Sequence, residues 1–279
     1  MLELEYTGSF SFLFIFQAPI INYIKYKNPD EVIHMTGMEG EGFYYRDENG
    51  PTIDKYTGVP QNAEVRRPTY HYMDAFRNTP RRYVRHGLFA DDVETEDCVI
   101  FCSRYHKAYA DLDPNGDRHA NSDEQCDRDF LSLLAKQVKV YITGLPGECY
   151  DFTDIPNVES LVNLPMEEKP AKLLALTNKS LGLISTAASA IATYSMCVGT
   201  PTMCFNTHRY QDRYGAPDGS LRGAQLNPFG TYIQSYEKIE PNYLLRYEET
   251  MRFLESSSKQ PRCMRDTLIE EKDLGARWL

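Results

Sequence analysis

The stretch Leu181-Gly-Leu-Ile-Ser-Thr-Ala-Ala-Ser-Ala-Ile-Ala-Thr-Tyr-Ser-Met-Cys-Val-Gly-Thr-Pro-Thr-Met-Cys-Phe-Asn206 decides the fold of this chain. It reads as strand, tight turn, helix, turn and strand, with small hydroxyl residues where the helix begins. Such a start is an anion-binding construction: unpaired amides, the positive end of the helix dipole and the hydroxyls of Ser185, Thr186 and Ser189 converge on one point. The plainer alternative is that Ser185 or Thr186 is only an N-cap, and the segment alone is compatible with both.

Upstream, Val99 to Arg104 is a short apolar run ending in a cation, and Cys126 to Gln137 has helical periodicity around Phe130, Leu131, Leu133 and Leu134. Val138 to Gly144 follows as a second strand, Asn157 to Leu164 as a third, and Glu167 to Thr177 as a second helix. Strands alternating with helices at this spacing predict parallel βαβ units, in which ligands collect at the carboxyl ends of the strands. Arg104, Gly144 and Ser185 fall at such ends.

In this order of elements, over about residues 97–206, the chain resembles the nucleotide-sugar-binding half of glycosyltransferases of the GT-B architecture, and within them the heptosyltransferase-like branch. The resemblance implies an α/β fold of two facing Rossmann-like domains, the N-terminal one reduced. It implies that the donor diphosphate sits on the turn holding Ser185, Thr186 and Ser189, assisted by Arg104 as the basic residue at the end of an earlier strand. The chain departs from the branch where an Asp-x-x-x-x-Thr-Gly run with a nearby His is expected, since Ile184-Ser-Thr-Ala-Ala stands there. The domain boundaries expected are residues 1–95 for an acceptor-side α/β domain with long loops and 96–240 for the donor-side domain. Residues 241–279 form a helix and tail, which in this architecture often cross back to the first domain.

Composition narrows the function. A chain of 279 residues with 42% hydrophobic residues suffices for two modest cores. Its net charge of −10 argues against coating nucleic acid with the whole surface, although a local basic patch is compatible with it. Seven cysteines without regular spacing argue against a disulfide framework and for a reducing, cytoplasmic setting. Cys98 and Cys102 have no second close pair to complete a zinc site and read as core residues. Phe10 to Ile24 is apolar, but Gln17, Pro19 and Asn22 interrupt it and it falls short of the roughly 20 residues of a membrane span.

In the amino-terminal third, Leu2–Tyr6 reads as a strand, Ser11–Lys27 as a helix bent near Pro19, Glu31–Thr36 as a strand and 37–60 as a long loop. The first loop of a GT-B acceptor domain faces the cleft, so by resemblance Gly8, Ser9 and Ser11 become cleft candidates; the plainer reading is a turn and a cap. Residues 66–86 interleave Arg66, Arg67, Arg77, Arg81, Arg82 and Arg85 with Tyr70, His71, Tyr72, Phe76 and Tyr83. Cations among rings suit a polyanion, whether a donor phosphate, an anionic acceptor or exposed bases in DNA. A solvated linker paired with the acidic segment Asp91–Asp97 is the alternative. Past residue 206, the loop carrying His208, Arg209, Asp212 and Arg213 overhangs the carboxyl edge, with His208 and Arg209 as donor-binding candidates. Residues 241–256 read as a helix whose apolar face holds Leu244, Leu245, Tyr247, Met251 and Leu254.

No Walker loop, Gly-x-Ser-x-Gly elbow or dinucleotide fingerprint is present in the sequence, and Asp111-Leu-Asp113 lies in a polar loop instead of at a strand end. The reaction expected from the resemblance is sugar transfer from a nucleoside diphosphate to a saccharide acceptor, with DNA as the alternative acceptor, no tightly bound cofactor and no metal. Arg104 would stabilise the leaving diphosphate. An inverting enzyme would draw its general base from Asp47, Asp54, His71 or Asp74. A non-catalytic nucleotide- or carbohydrate-binding module on the same fold is the reading from a different class.

Overall fold

In the computed structural model, the residues described are 1–6, 17–47, 49–60, 83–84, 96–103, 105, 122–186, 190–197, 200–205, 233–236, 242–257 and 268–269. Six short parallel strands form the larger sheet: β7 (Cys98–Cys102), β8 (Lys139–Ile142), β9 (Val158–Ser160), β10 (Gly182–Ser185), β11 (Thr202–Phe205) and β12 (Ile233–Tyr236), lying side by side as β12-β11-β10-β7-β8-β9. Every residue of β7, β10 and β11 is buried, because a parallel sheet carries helices on both faces and leaves its central strands no wet side. β8, nearer the edge, buries only alternate residues, Val140 and Ile142.

The strand order reverses between β7 and β10, with Ser185 directly opposite Cys102. The parallel βαβ sheet expected from the alternation of elements is present, and its order is that of a doubly wound sheet. Helix α2 (Glu124–Leu134) starts at Asp123, whose carboxylate accepts from the amide of Cys126 at 2.8 Å. It buries Cys126, Asp127, Phe130, Leu131 and Leu134 in one helical stripe. Phe130 meets Phe101 and Phe205 on that sheet face with ring centroids 5.8 and 6.0 Å apart. Phe253 and Leu254 of the last helix, α5 (Tyr243–Ser257), complete the layer.

The opposite face of the sheet, through Ile100, Leu183 and Cys204, packs on α3 (Lys169–Lys179) and α4 (Ala190–Cys197), and this layer continues without a break into the amino-terminal part. There, β1 (Leu2–Tyr6), β2 (Ile33–Met38) and β5 (Lys55–Val59) form a smaller parallel sheet in the order β1-β2-β5, with α1 (Ala18–Lys27) linking the first two. Tyr44 meets Tyr194 of α4 edge to face, centroids 5.8 Å apart, so the two sheets share one apolar cluster.

Two expectations need correction. Residues 37–60 are not a long loop: they hold the end of β2, a 3-10 turn at Glu41–Tyr44, a small hairpin of β3 (Arg46–Asp47) and β4 (Gly50–Pro51), and β5. Their glycines serve packing instead of breaking structure. The Tyr56 ring lies across Gly37 and Gly42, and a Cβ on Gly42 would stand 2.5 Å from Tyr56 Cγ. Asn22 of α1 holds the hairpin, donating to the Arg46 carbonyl at 2.8 Å and accepting from the buried Thr52 hydroxyl at 2.6 Å. The second correction concerns α5, whose Leu244 and Leu245 are 52% and 39% exposed, while Arg246, Thr250, Phe253 and Leu254 face inward. Finally, β6 (Tyr83–Val84) pairs antiparallel with β13 (Leu268–Ile269) beside α1, bringing residues 268–269 against the amino-terminal part.

Candidate functional site

Where the strand order of a doubly wound sheet reverses, neighbouring connections leave in opposite directions and open a crevice at the carboxyl ends of the strands. Here that point is the end of β7 and β10. Thr186, the first residue past β10, gives its amide to the carbonyl of Cys102 at 3.1 Å, which prolongs the strand pairing by one residue. Ser185 and Thr186 are fully buried.

The Thr186 hydroxyl faces a buried polar cluster. It makes a short hydrogen bond with the hydroxyl of Ser122 and lies 3.5 Å from Asp127 Oδ2. Asp127 Oδ1 accepts from Arg246 Nη1 at 2.8 Å, and the guanidinium also sits over the Phe205 ring, 5.6 Å from its centroid. Asp127 is 0% and Arg246 4% exposed, so this is an ion pair removed from water. Burial pushes the Asp127 carboxyl up to about 7, with Arg246 and the Ser122 hydroxyl pulling it back toward its ordinary value. Tyr150 closes the cluster, donating its hydroxyl to the Ser122 carbonyl at 3.2 Å and stacking near Tyr105, ring centroids 5.0 Å apart.

A second buried charge lies one strand further along. Lys169, at the start of α3, donates to the carbonyls of Gly144 at 2.6 Å and Val162 at 2.8 Å, tying together the segments that leave β8 and β9. Burial lowers the Lys169 ammonium from its ordinary value, and burial pushes the nearby Cys149 thiol up to about 11. Gly144 leaves no room for a side chain, since a Cβ there would meet Cys149 Sγ at 2.8 Å.

Of the residues singled out in the sequence, the structure gathers Ser185, Thr186 and Gly144 along the carboxyl edge, on either side of β7. Asp47 and Asp54 have structural partners. Asp47 accepts from the Asn49 amide at 2.8 Å within its own turn. Asp54 stands before β5, at the amino edge of the small sheet, accepting from the Ile33 amide at 2.9 Å and from Lys25 Nζ at 3.3 Å. These hydrogen bonds, the Ile33 amide foremost, hold its carboxyl below the ordinary carboxylate value. Arg104, Ser189, His208, Arg209, Gly8, Ser9, Ser11, His71, Asp74, Arg77, Arg81 and Arg82 lie outside the described residues. Sequence reading missed Asp127, Arg246, Ser122 and Lys169. The signal for the first two was present: each is a charge set in the buried stripe of an otherwise apolar helix face.

These features define a doubly wound parallel sheet joined to a smaller parallel sheet, a GT-B-like α/β fold with a reduced amino-terminal part. No protein-family model matches the chain, and no curated protein matches it in sequence. Solved structures do match its fold. The glycosyl transferase family 9 protein from Veillonella parvula DSM 2008 superposes with a TM-score of 0.51 at 10% identity, over 91% of this chain and 96% of that one. The E. coli heptosyltransferase WaaC with ADP superposes with the same TM-score and identity, over 91% of this chain and 99% of that one. At this identity the likeness is one of fold. Among the described residues, no three His, Cys, Asp or Glu side chains converge as metal ligands, and no helix is long and apolar enough to cross a membrane.

Proposed function

We propose that this chain is a glycosyltransferase that takes its sugar from a nucleoside diphosphate donor seated at the carboxyl edge of the larger sheet. One observation carries the reading: the strand order reverses between β7 and β10, where Ser185 and Thr186 lead through small residues into the start of α4. Amides at a helix start hold phosphate, and donors placed in advance of the reaction stabilise a leaving diphosphate as its charge grows. The fold match to two glycosyltransferases, one of them solved with ADP, supports the same assignment.

In this reading Arg104 follows β7 and assists the diphosphate, with Ser189, His208 and Arg209 completing the donor side. The acceptor, a saccharide, enters from the side of the small sheet and the segment of Arg77, Arg81 and Arg82. Asp47 and Asp54 are occupied by the scaffold, so an inverting reaction takes its general base from His71 or Asp74. No metal ion is required for this chemistry.

The test is a thermal-shift and calorimetric screen of nucleoside diphosphates and their sugars, followed by an assay for nucleoside diphosphate release with and without saccharide acceptors, in the presence of a chelator. Saturable binding of one nucleoside diphosphate and acceptor-stimulated release are expected. Binding without release under any acceptor identifies a binding module, and absence of all nucleotide binding overturns the proposal. Steeply salt-dependent oligonucleotide binding would move the acceptor from a saccharide to DNA.

A further inference from the structure

The buried pair of Asp127 and Arg246 is not explained by stability. Removing two charges from water costs several kcal/mol per ion, and well-packed apolar residues in their place are often neutral or stabilising. Both positions lie in helix stripes otherwise suited to apolar side chains, α2 through Phe130, Leu131 and Leu134 and α5 through Phe253 and Leu254. What an apolar pair lacks is direction. Arg246 occupies Asp127 Oδ1, and the other oxygen, Oδ2, faces the Thr186 hydroxyl. The Ser122 and Thr186 hydroxyls bond each other, and both face the Asp127 carboxylate as donors. Three separate parts of the chain thereby meet on one carboxylate: α5 through Arg246, the segment before α2 through Ser122, and the end of β10 through Thr186.

We propose that Asp127 and Arg246 are positioning residues, which fix the Thr186 hydroxyl at the carboxyl end of β10, so that docking of α5 bears on donor binding at that edge. This deepens the donor assignment made above and rests on it. Thr186 is held twice, its amide by Cys102 and its hydroxyl by the cluster, and the next residues lead to the helix start assigned to the diphosphate.

Three proteins are compared: wild type, the double variant Asp127→Leu with Arg246→Met, and Thr186→Val. Each is measured for affinity toward the nucleoside diphosphate that the screen identifies, ADP being the first probe, and for amide hydrogen exchange over residues 186–197 and 243–257. The double variant is expected to keep its melting temperature while exchange over 186–197 rises and affinity falls roughly five-fold or more. Thr186→Val is expected to reproduce both changes while leaving exchange over 243–257 as in wild type. Unchanged exchange over 186–197 in the folded double variant overturns the proposal. If that variant fails to fold, Thr186→Val decides it: unchanged exchange over 186–197 overturns it, and increased exchange supports it. Should wild type bind no nucleoside diphosphate, the donor assignment fails separately, and the exchange measurements still decide whether the pair fixes Thr186.

Discussion

Replacing Gly42 by alanine adds one methyl group at a place where the structure has no room for it. The new carbon would lie 2.5 Å from Tyr56 Cγ, 2.7 Å from Cδ1 and 3.0 Å from Cβ. Carbon atoms in contact rest about 3.5–4.0 Å apart, so the overlap is about 1 Å. The ring cannot swing aside freely, because its hydroxyl donates to the Met38 carbonyl at 2.7 Å and lies in the space left by Gly37. Overpacking of this kind costs about 1–3 kcal/mol, while alanine restricts the unfolded chain and returns about 0.4–1 kcal/mol. The net expectation is a loss of about 1–2 kcal/mol. Urea unfolding followed by circular dichroism measures it directly, and the same substitution in a Tyr56→Ala background isolates its cause. Without the ring the 2.5 and 2.7 Å contacts are gone and only Cβ of residue 56, at 3.0 Å, remains close, so most of the cost should vanish. An equal cost in both backgrounds, or no cost in the native one, would refute this account of the glycines.

Three further outcomes follow from the same geometry. Phe130→Ala, which empties the centre of the layer between Phe101 and Phe205, should cost about 3–5 kcal/mol in the same assay; a loss under 1 kcal/mol would mean the layer collapses to fill the space. Asp123→Ala removes the acceptor for the first-turn amide of α2 and should cost about 1 kcal/mol, with Asp123→Ser recovering most of it. The Asp127 carboxyl, raised by burial to about 7 against an unfolded value near 3.9, binds its proton more tightly in the folded protein. Its contribution to stability is therefore complete below about pH 4 and is lost as pH rises toward 7, at up to about 1.4 kcal/mol per pH unit. Relative to Asp127→Asn, wild type should lose stability across that interval, and parallel pH curves for the two proteins would contradict it.

Local periodicity made the centre of the larger sheet readable from sequence. Buried parallel strands are short apolar runs ended by turn residues, and the runs beginning near Val99, Val138, Leu181 and Thr202 all became strands beside the expected helices. The positions of Gly144, Ser185 and Thr186 at strand ends followed from the same pattern. β5 was obscured because Gly37, Gly42 and Gly58 look like breakers until the Tyr56 ring that needs the first two is known. The face of α5 was misjudged for a related reason. Periodicity assigns leucines to the inside, but the partner of Arg246 is 119 residues away in sequence, and that pairing turns Leu244 and Leu245 outward. Asp127 was overlooked because a carboxylate on a helix reads as solvated unless its counterion is already known.

The contact of Tyr44 with Tyr194, together with the apolar cluster around it, bears on how the molecule comes apart. Ile33 and Met35 of the small sheet share their interior with Leu173, Leu176 and Leu183 of the large one. Severing that layer would expose two tyrosines that each bury on the order of 150–250 Å². The described halves are therefore expected to melt together, and a peptide ending near residue 95 would present to water a surface that is interior in the whole chain. Any ligand captured at the carboxyl edge of the large sheet should slow amide exchange in β1 and β2 as well, because the protection it confers is distributed over a single cooperative unit.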